Sequence, residues 1–244
     1  MISELQFQSG YPTQLPGIGK KRIRFNDRVN ILFGPNGSGK TTILRTLAVT
    51  SGCGMGGWSN ESKSDALLEL PYTASIKKDD RPVFYQDCYQ NGEASFIGED
   101  YLENNAHLRS TGEKRIGLVN ELIDYIENRF LTYKLKPNDR PSLLLDEVDN
   151  HIGFAGQSVL WGDIITYLSK KYQLIISTHS IFPILLKRNR SIRSDNIIVL
   201  AKDYDEICLR ELGKAIDYFN SSNDPKTEGR QHNQGGRNLR KRKK

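Results

Sequence analysis

The chain has 244 residues, 37% hydrophobic and 26% charged, which suits one packed α/β domain or two small ones and excludes a disordered chain. No apolar run reaches the roughly 20 residues of a membrane helix, and the start MISELQFQSG lacks a secretory pattern. Three scattered cysteines (Cys53, Cys88, Cys208) make neither a disulfide scaffold nor a paired-Cys zinc site, so the expected compartment is the cytoplasm. The net charge of +6 suggests a polyanionic partner until its location is found. From Ser221 to Lys244 there are eight basic residues against Asp224 and Glu228, which accounts for the whole excess. That segment has one aliphatic residue, Leu239, and cannot bury enough surface to offset ordering. Two domains are therefore expected: a neutral body, 1–220, and a disordered basic tail, 221–244. The tail is either a solubilising appendage or an arm for nucleic acid or an acidic partner.

In chain order, the pattern predicts a strand over Ser3–Gln8, a turn-rich stretch from Gly10 to Gly19, and strands at Arg22–Phe25 and Val29–Phe33. A helix follows over Thr41–Thr50, then a Gly- and Ser-rich loop over residues 51–65. Short strands are expected at Ala66–Leu70, Thr73–Ile76 and Pro82–Tyr85, and a helix from Ser110 to about Thr132. The apolar strand Ser142–Leu145, a helix over Gln157–Lys171 and the strand Gln173–Ile176 come next. Strands at Asn196–Leu200 and Glu206–Glu211 close the body. Fully apolar strands alternating with helices predict an α/β fold with a largely parallel sheet covered on both faces.

Between strand and helix lies Gly34-Pro35-Asn36-Gly37-Ser38-Gly39-Lys40-Thr41-Thr42, a match to the phosphate-loop pattern in the context that pattern requires. The glycines let successive N–H groups converge on an anion at a helix N-terminus. Lys40 can reach the β and γ phosphates, and the Thr41 hydroxyl can ligate Mg²⁺. The chain is thus expected to bind a nucleoside triphosphate. Leu143-Leu144-Leu145-Asp146-Glu147 delivers two carboxylates at a strand end, where an open α/β sheet places ligands. Asp146 suits the metal, and Glu147 suits the base that polarises the attacking water. Ile175-Ile176-Ser177-Thr178-His179-Ser180 brings a histidine to the next strand end, where it can sense the γ-phosphate. Ser110-Thr111-Gly112-Glu113 is by itself only a helix start.

Taken together and in order, GPNGSGKTT, RSTGEKR, LLLDE and STHS resemble the ABC-type ATPase superfamily. The set is most similar to the soluble heads of SMC-like, DNA-repair and overcoming-lysogenization-defect proteins, over residues 1–212. The resemblance implies an ABC-type P-loop head: a mixed sheet flanked by helices, with ATP and Mg²⁺ as cofactors. It also implies that Ser110–Glu113 caps the nucleotide of a second protomer and that Gln86, in Val83-Phe84-Tyr85-Gln86, joins Thr41 and Asp146 at the metal. Arg109, Thr111, Val148 and Gly153 depart from the family pattern around the signature and the segment after Glu147. No residue is assigned to stack on the base, and Tyr11 is not favoured.

Ser110 follows Gln86 by only 24 positions, too few for a coiled coil or a transporter-docking helical subdomain, so the helical subdomain is expected to be much reduced. The expected function is a Mg²⁺-dependent ATPase that dimerises, or forms a higher oligomer, through ATP-bound heads. By the same resemblance it regulates a separate effector, a nuclease or toxin in genome maintenance or anti-phage defence. An alternative is a non-catalytic ATP-binding scaffold that clamps nucleic acid through the tail. A transporter ATPase subunit is disfavoured by the short interval, and no membrane partner is expected.

Overall fold

The computed structural model describes residues 1–53, 57–58, 70–86, 123–124, 127–128, 139–150, 152–188 and 196–222. Its centre is a six-stranded sheet built from β3 (Val29–Phe33), β4 (Gly57–Trp58), β6 (Val83–Gln86), β7 (Ser142–Asp146), β8 (Gln173–Thr178) and β9 (Asn196–Val199). The spatial order is β4-β6-β7-β8-β3-β9. All neighbours are parallel except β4, which runs antiparallel to β6, so the sheet is mixed, as expected. A second sheet is antiparallel, with β1 (Ile2–Phe7) between β2 (Arg22–Arg24) and β5 (Ala74–Lys78).

The strands β3, β7 and β8 are buried at every residue, which is why they read as continuous apolar runs rather than alternating ones. Helix α1 (Lys40–Ser51) presents Ile43, Leu44, Leu47 and Ala48 to a core shared with Ile2, Leu5 and Phe7 of β1 and with Leu32, Tyr85, Leu144 and Ile175 of the main sheet. It ends where Gly52 takes the left-handed conformation, φ 85°, and returns its N–H to Ala48 and Val49. The opposite face of the sheet, including Phe84, Leu143, Leu145, Leu174 and Ile176, is equally buried. Helix α2 is formed by three consecutive pieces: Phe154–Val159, a π turn at Leu160–Ile164, and Ile165–Lys171. It buries Leu160, Trp161, Ile165 and Leu168 and packs on β8. A short helix α3 (Phe182–Arg188), absent from the sequence reading, follows β8.

The chain divides into two compact units, Met1–Asp205 and Glu206–Lys244. Glu206–Glu211, expected as a strand, is instead part of helix α4 (Tyr204–Ser222). Over six residues Ile207, Cys208 and Leu209 form a short apolar run, but across the whole segment Leu209, Leu212, Ile216 and Phe219 recur at helical spacing. No residue of α4 is buried, and Tyr218 and Phe219 are largely exposed. Residues 66–69 and 110–113 lie outside the described residues. Of the long helix expected after them, Ile123, Asp124, Glu127 and Asn128 are described and helical. The reduced helical subdomain likewise falls outside. Among the described residues no helix is long and apolar enough to cross a membrane.

Candidate functional site

The parallel register brings four strand ends to one edge. Gln86 pairs with Leu145, Asp146 with Ser177, and Phe33 with Thr178, so the segments after β7, β8 and β3 emerge side by side. After Phe33 the chain wraps through Gly34–Gly39 into α1. Gly37 and Gly39 hold φ angles of 74° and 95°. A Cβ on Gly39 would also lie 2.4 Å from Ile18 Cδ1, and one on Gly34 would lie 2.7 Å from Ser38 Oγ. Glycine is therefore dictated here by backbone hand and by space. Helix α1 has no side-chain N-cap, which leaves its first N–H groups available to an anion.

Lys40 is 4% exposed. Its Nζ donates to the carbonyls of Gly34 (3.0 Å) and Pro35 (3.3 Å) and lies 4.0 Å from Glu147 Oε1. Burial lowers its pKa, against the pull of Glu147, Asp146 and Asp149. His179 Nε2 stands 2.9 Å from both Lys40 Nζ and Glu147 Oε1. It can accept from the lysine or donate to the carboxylate, depending on where the ring proton sits. The Thr41 hydroxyl donates to Asp146 Oδ1 at 3.3 Å, and Ser177 Oγ donates to the same oxygen. Asp146 is buried at the end of β7.

Glu147 has a left-handed backbone, φ 47°, unusual for a residue with a Cβ. It is held there because its N–H donates to Ser177 Oγ (2.9 Å) and Ser177 O (3.2 Å), while its carbonyl accepts from Asn150 N–H (2.9 Å). The side chain is thereby turned from the line of the strand toward His179 and Lys40. Thus Lys40, Thr41, Asp146, Glu147 and His179 meet at one edge, and Gln86 ends the adjoining strand. Ser177, quoted in the motif but given no role, is the residue that sequence reasoning missed. Its signal was a hydroxyl directly after the aliphatic run Leu174–Ile176 of a buried strand.

The donor set fits the expected cofactors. A hydroxyl and a carboxylate oxygen at the start of α1 and the end of β7 are hard oxygen ligands suited to Mg²⁺. The loop above Gly37 is open, with nothing within 4 Å of where a Cβ would sit. Alongside α1 lies a cavity of ≈ 240 Å³ lined by Tyr11, Thr41, Thr42, Arg45, Val49 and Tyr72, among others. Tyr11 Oη and Thr42 Oγ1 are 2.9 Å apart, and the Tyr11 and Tyr72 rings meet edge to face with centroids at 5.3 Å. The tyrosine not favoured in the sequence therefore stands next to the phosphate loop. Ser110, Thr111, Gly112 and Glu113 fall outside the described residues.

A family model described as an AAA domain matches residues 16–196. A search of curated proteins returns no match. Among solved structures, one from Pyrococcus furiosus described as an ABC transporter ATP-binding protein is 18% identical, with a TM-score of 0.42. The alignment covers 82% of this chain and 98% of that one. A nucleotide-free ATP-binding cassette from an ABC transporter is 14% identical with a TM-score of 0.39, over 76% of this chain and 84% of that one.

Proposed function

The chain belongs to the AAA domain family, and on that premise we propose that it is a Mg²⁺-dependent ATPase whose reacting edge is the set of strand ends just described. The observation behind this reading is the meeting of Lys40, His179 and Glu147 within 4.0 Å, beside Thr41 and Asp146. The glycine loop and the first amides of α1 bind the phosphates, with Gly34–Thr42 forming the cradle. Lys40 exchanges its carbonyl partners for phosphate oxygens. Thr41, Asp146 and Gln86 hold the metal, which when bound neutralises charge on the β and γ phosphates. Glu147 polarises the attacking water, and His179 hydrogen-bonds the γ-phosphate or that water. Tyr11 and Tyr72 present an aromatic wall for the nucleoside. The reading takes 1–220 as the nucleotide-binding domain and 221–244 as its basic tail.

Ser110–Glu113 supports a second part of the reading, a head-to-head dimer in which each signature caps the other's nucleotide. The biological output, control of a separate nuclease or toxin, is supported by the sequence resemblance alone. Single-turnover phosphate release tests the enzymatic part. Glu147→Gln is expected to keep ATP binding and to lose about 10²- to 10⁴-fold in rate. Equal release from wild type and variant would remove Glu147 from the reaction. Binding without release from wild type would favour the scaffold. Sedimentation of Glu147→Gln with and without ATP tests the dimer, and an ATP-independent monomer would contradict it.

A further inference from the structure

Two segments carry the reacting pair: residues 147–150 after β7, which include Glu147, and residues 178–180 after β8, which include His179. His179 is 36% exposed, and among the described residues its ring is held only by Lys40 and Glu147, two side chains that must rearrange when a phosphate arrives. Its backbone has a separate anchor. Asp149, 5% exposed, accepts a hydrogen bond from Thr178 Oγ1 at 2.6 Å. The same hydroxyl oxygen accepts from the N–H of Ser180 at 2.7 Å, so one buried side chain spans the residues on both sides of His179. Ser180 Oγ then donates to Gln157 Oε1 at 2.5 Å, and Gln157 Nε2 donates to the carbonyl of Ile152 at 3.0 Å. Ile152 N–H returns to Asp149 O at 3.2 Å, which closes the circuit.

We propose that Asp149, Thr178, Ser180 and Gln157 form a ring of positioning residues that fixes the turn bearing His179 against the turn bearing Glu147. None of the four touches Lys40 or the phosphate loop through any hydrogen bond described above. Their action on the chemistry is indirect, through the relative placement of base and sensor. A displacement of about 1 Å at reacting groups is worth on the order of 100-fold in rate, so such a ring has leverage out of proportion to its bond count. The geometry also explains why Thr178 must carry a hydroxyl at a position where β8 is otherwise buried among Leu174, Ile175 and Ile176. This inference rests on the ATPase reading for its kinetic consequence, though not for the placement of His179 itself.

The test uses Thr178→Val, which keeps shape and removes the hydroxyl, and Thr178→Ser, which restores it. In steady-state ATP hydrolysis Thr178→Val is expected to lower kcat about 10- to 100-fold while KM for ATP changes by less than about threefold, and Thr178→Ser is expected to recover most of the rate. In nucleotide-free protein, the His179 ring resonance, identified by its loss in His179→Gln, should move in Thr178→Val and return in Thr178→Ser. A Thr178→Val protein with kcat within about twofold of wild type and an unmoved His179 resonance overturns the ring. If Thr178→Val fails to fold, Gln157→Leu cuts the opposite arm and is read the same way. If wild type hydrolyses no ATP, the function reading fails, and the resonance alone still decides the ring.

Discussion

The two edges of the main sheet both bury polar side chains, but of different kinds. At the edge where the parallel strands begin, Gln173 Oε1 accepts from Ile2 N–H (2.8 Å) and Ser142 Oγ (2.6 Å), while its Nε2 donates to the carbonyls of Ile2 and Asn26, both at 2.6 Å. Asn30 Oδ1 accepts from Asn26 N–H and Asn196 Nδ2, and its Nδ2 donates to the carbonyls of Asn26 and Leu174. Both amides have all four of their bonds made. No group in this network is charged, and it ties β1 of the small sheet to β7, β8 and β3 of the large one. At the opposite edge stand a buried lysine, an aspartate, a glutamate with left-handed backbone and a histidine that can serve either of two partners. A saturated neutral network has nothing left to offer a ligand. A charged one with desolvated and strained members is poised to exchange partners. The strand-start edge holds the fold together, and the strand-end edge is the one to which the proposed reaction is assigned.

The largest expected effect falls on the neutral edge. Gln173→Leu removes four hydrogen bonds and takes two of them from the buried backbone N–H and carbonyl of Ile2, a loss of roughly 3 kcal/mol or more in chemical denaturation. ATP affinity of the folded fraction should be unchanged. Asn196→Ala, which deletes only the bonds to Asn30 and to the carbonyl of Arg24, should cost about 1 kcal/mol by the same assay.

At the charged edge the sign reverses. Lys40→Met removes a cation whose burial is unfavourable, so unfolding in the absence of nucleotide should shift upward or stay level. Titration with labelled ATP should show about 10- to 100-fold weaker binding, from the loss of a charge-assisted contact. The smallest effect belongs to Asp149. Burial raises its carboxyl pKa above the ordinary aspartate value of 3.8, opposed in part by the bond from Thr178. An acid whose folded pKa is raised contributes stability that is fully present below 3.8 and lost as pH rises through the folded value. Asp149→Asn keeps an acceptor for Thr178 and removes this dependence. Its stability should match wild type below that pH and exceed it modestly at neutral pH, as read from melts across pH.

The division between the edges was half visible in the sequence. Gly34–Thr42, Asp146, Glu147 and His179 are contiguous motifs whose spacing fixes their geometry once the strands are parallel. The neutral network is built from Ile2, Asn26, Asn30, Ser142, Gln173 and Asn196, which sit up to 171 positions apart in pairing and have no local pattern. Ser142 and Gln173 were simply the first residues of predicted strands. The same limit hid Ser177 and Thr178, whose hydroxyls matter only after β7 and β8 lie side by side. Tyr11 was legible as an aromatic in a turn, but its place beside Thr42 depends on how β1 packs over α1. In α4 the error had a local cause, because a six-residue window around the apolar run Ile207–Leu209 is too short to show the period from Leu209 to Phe219.

One measurement puts the two edges in direct opposition: the shift in melting temperature produced by Mg²⁺-ATP, compared in wild type, Lys40→Met and Asn196→Ala. Ligand at about 100 times its dissociation constant adds roughly 2.7 kcal/mol to a protein that binds only when folded. Asn196→Ala should melt lower than wild type without nucleotide and show the full shift on addition. Lys40→Met should melt no lower than wild type and show little shift. A full shift in Lys40→Met, or a shift abolished in Asn196→Ala, would contradict the assignment of binding to one edge and cohesion to the other.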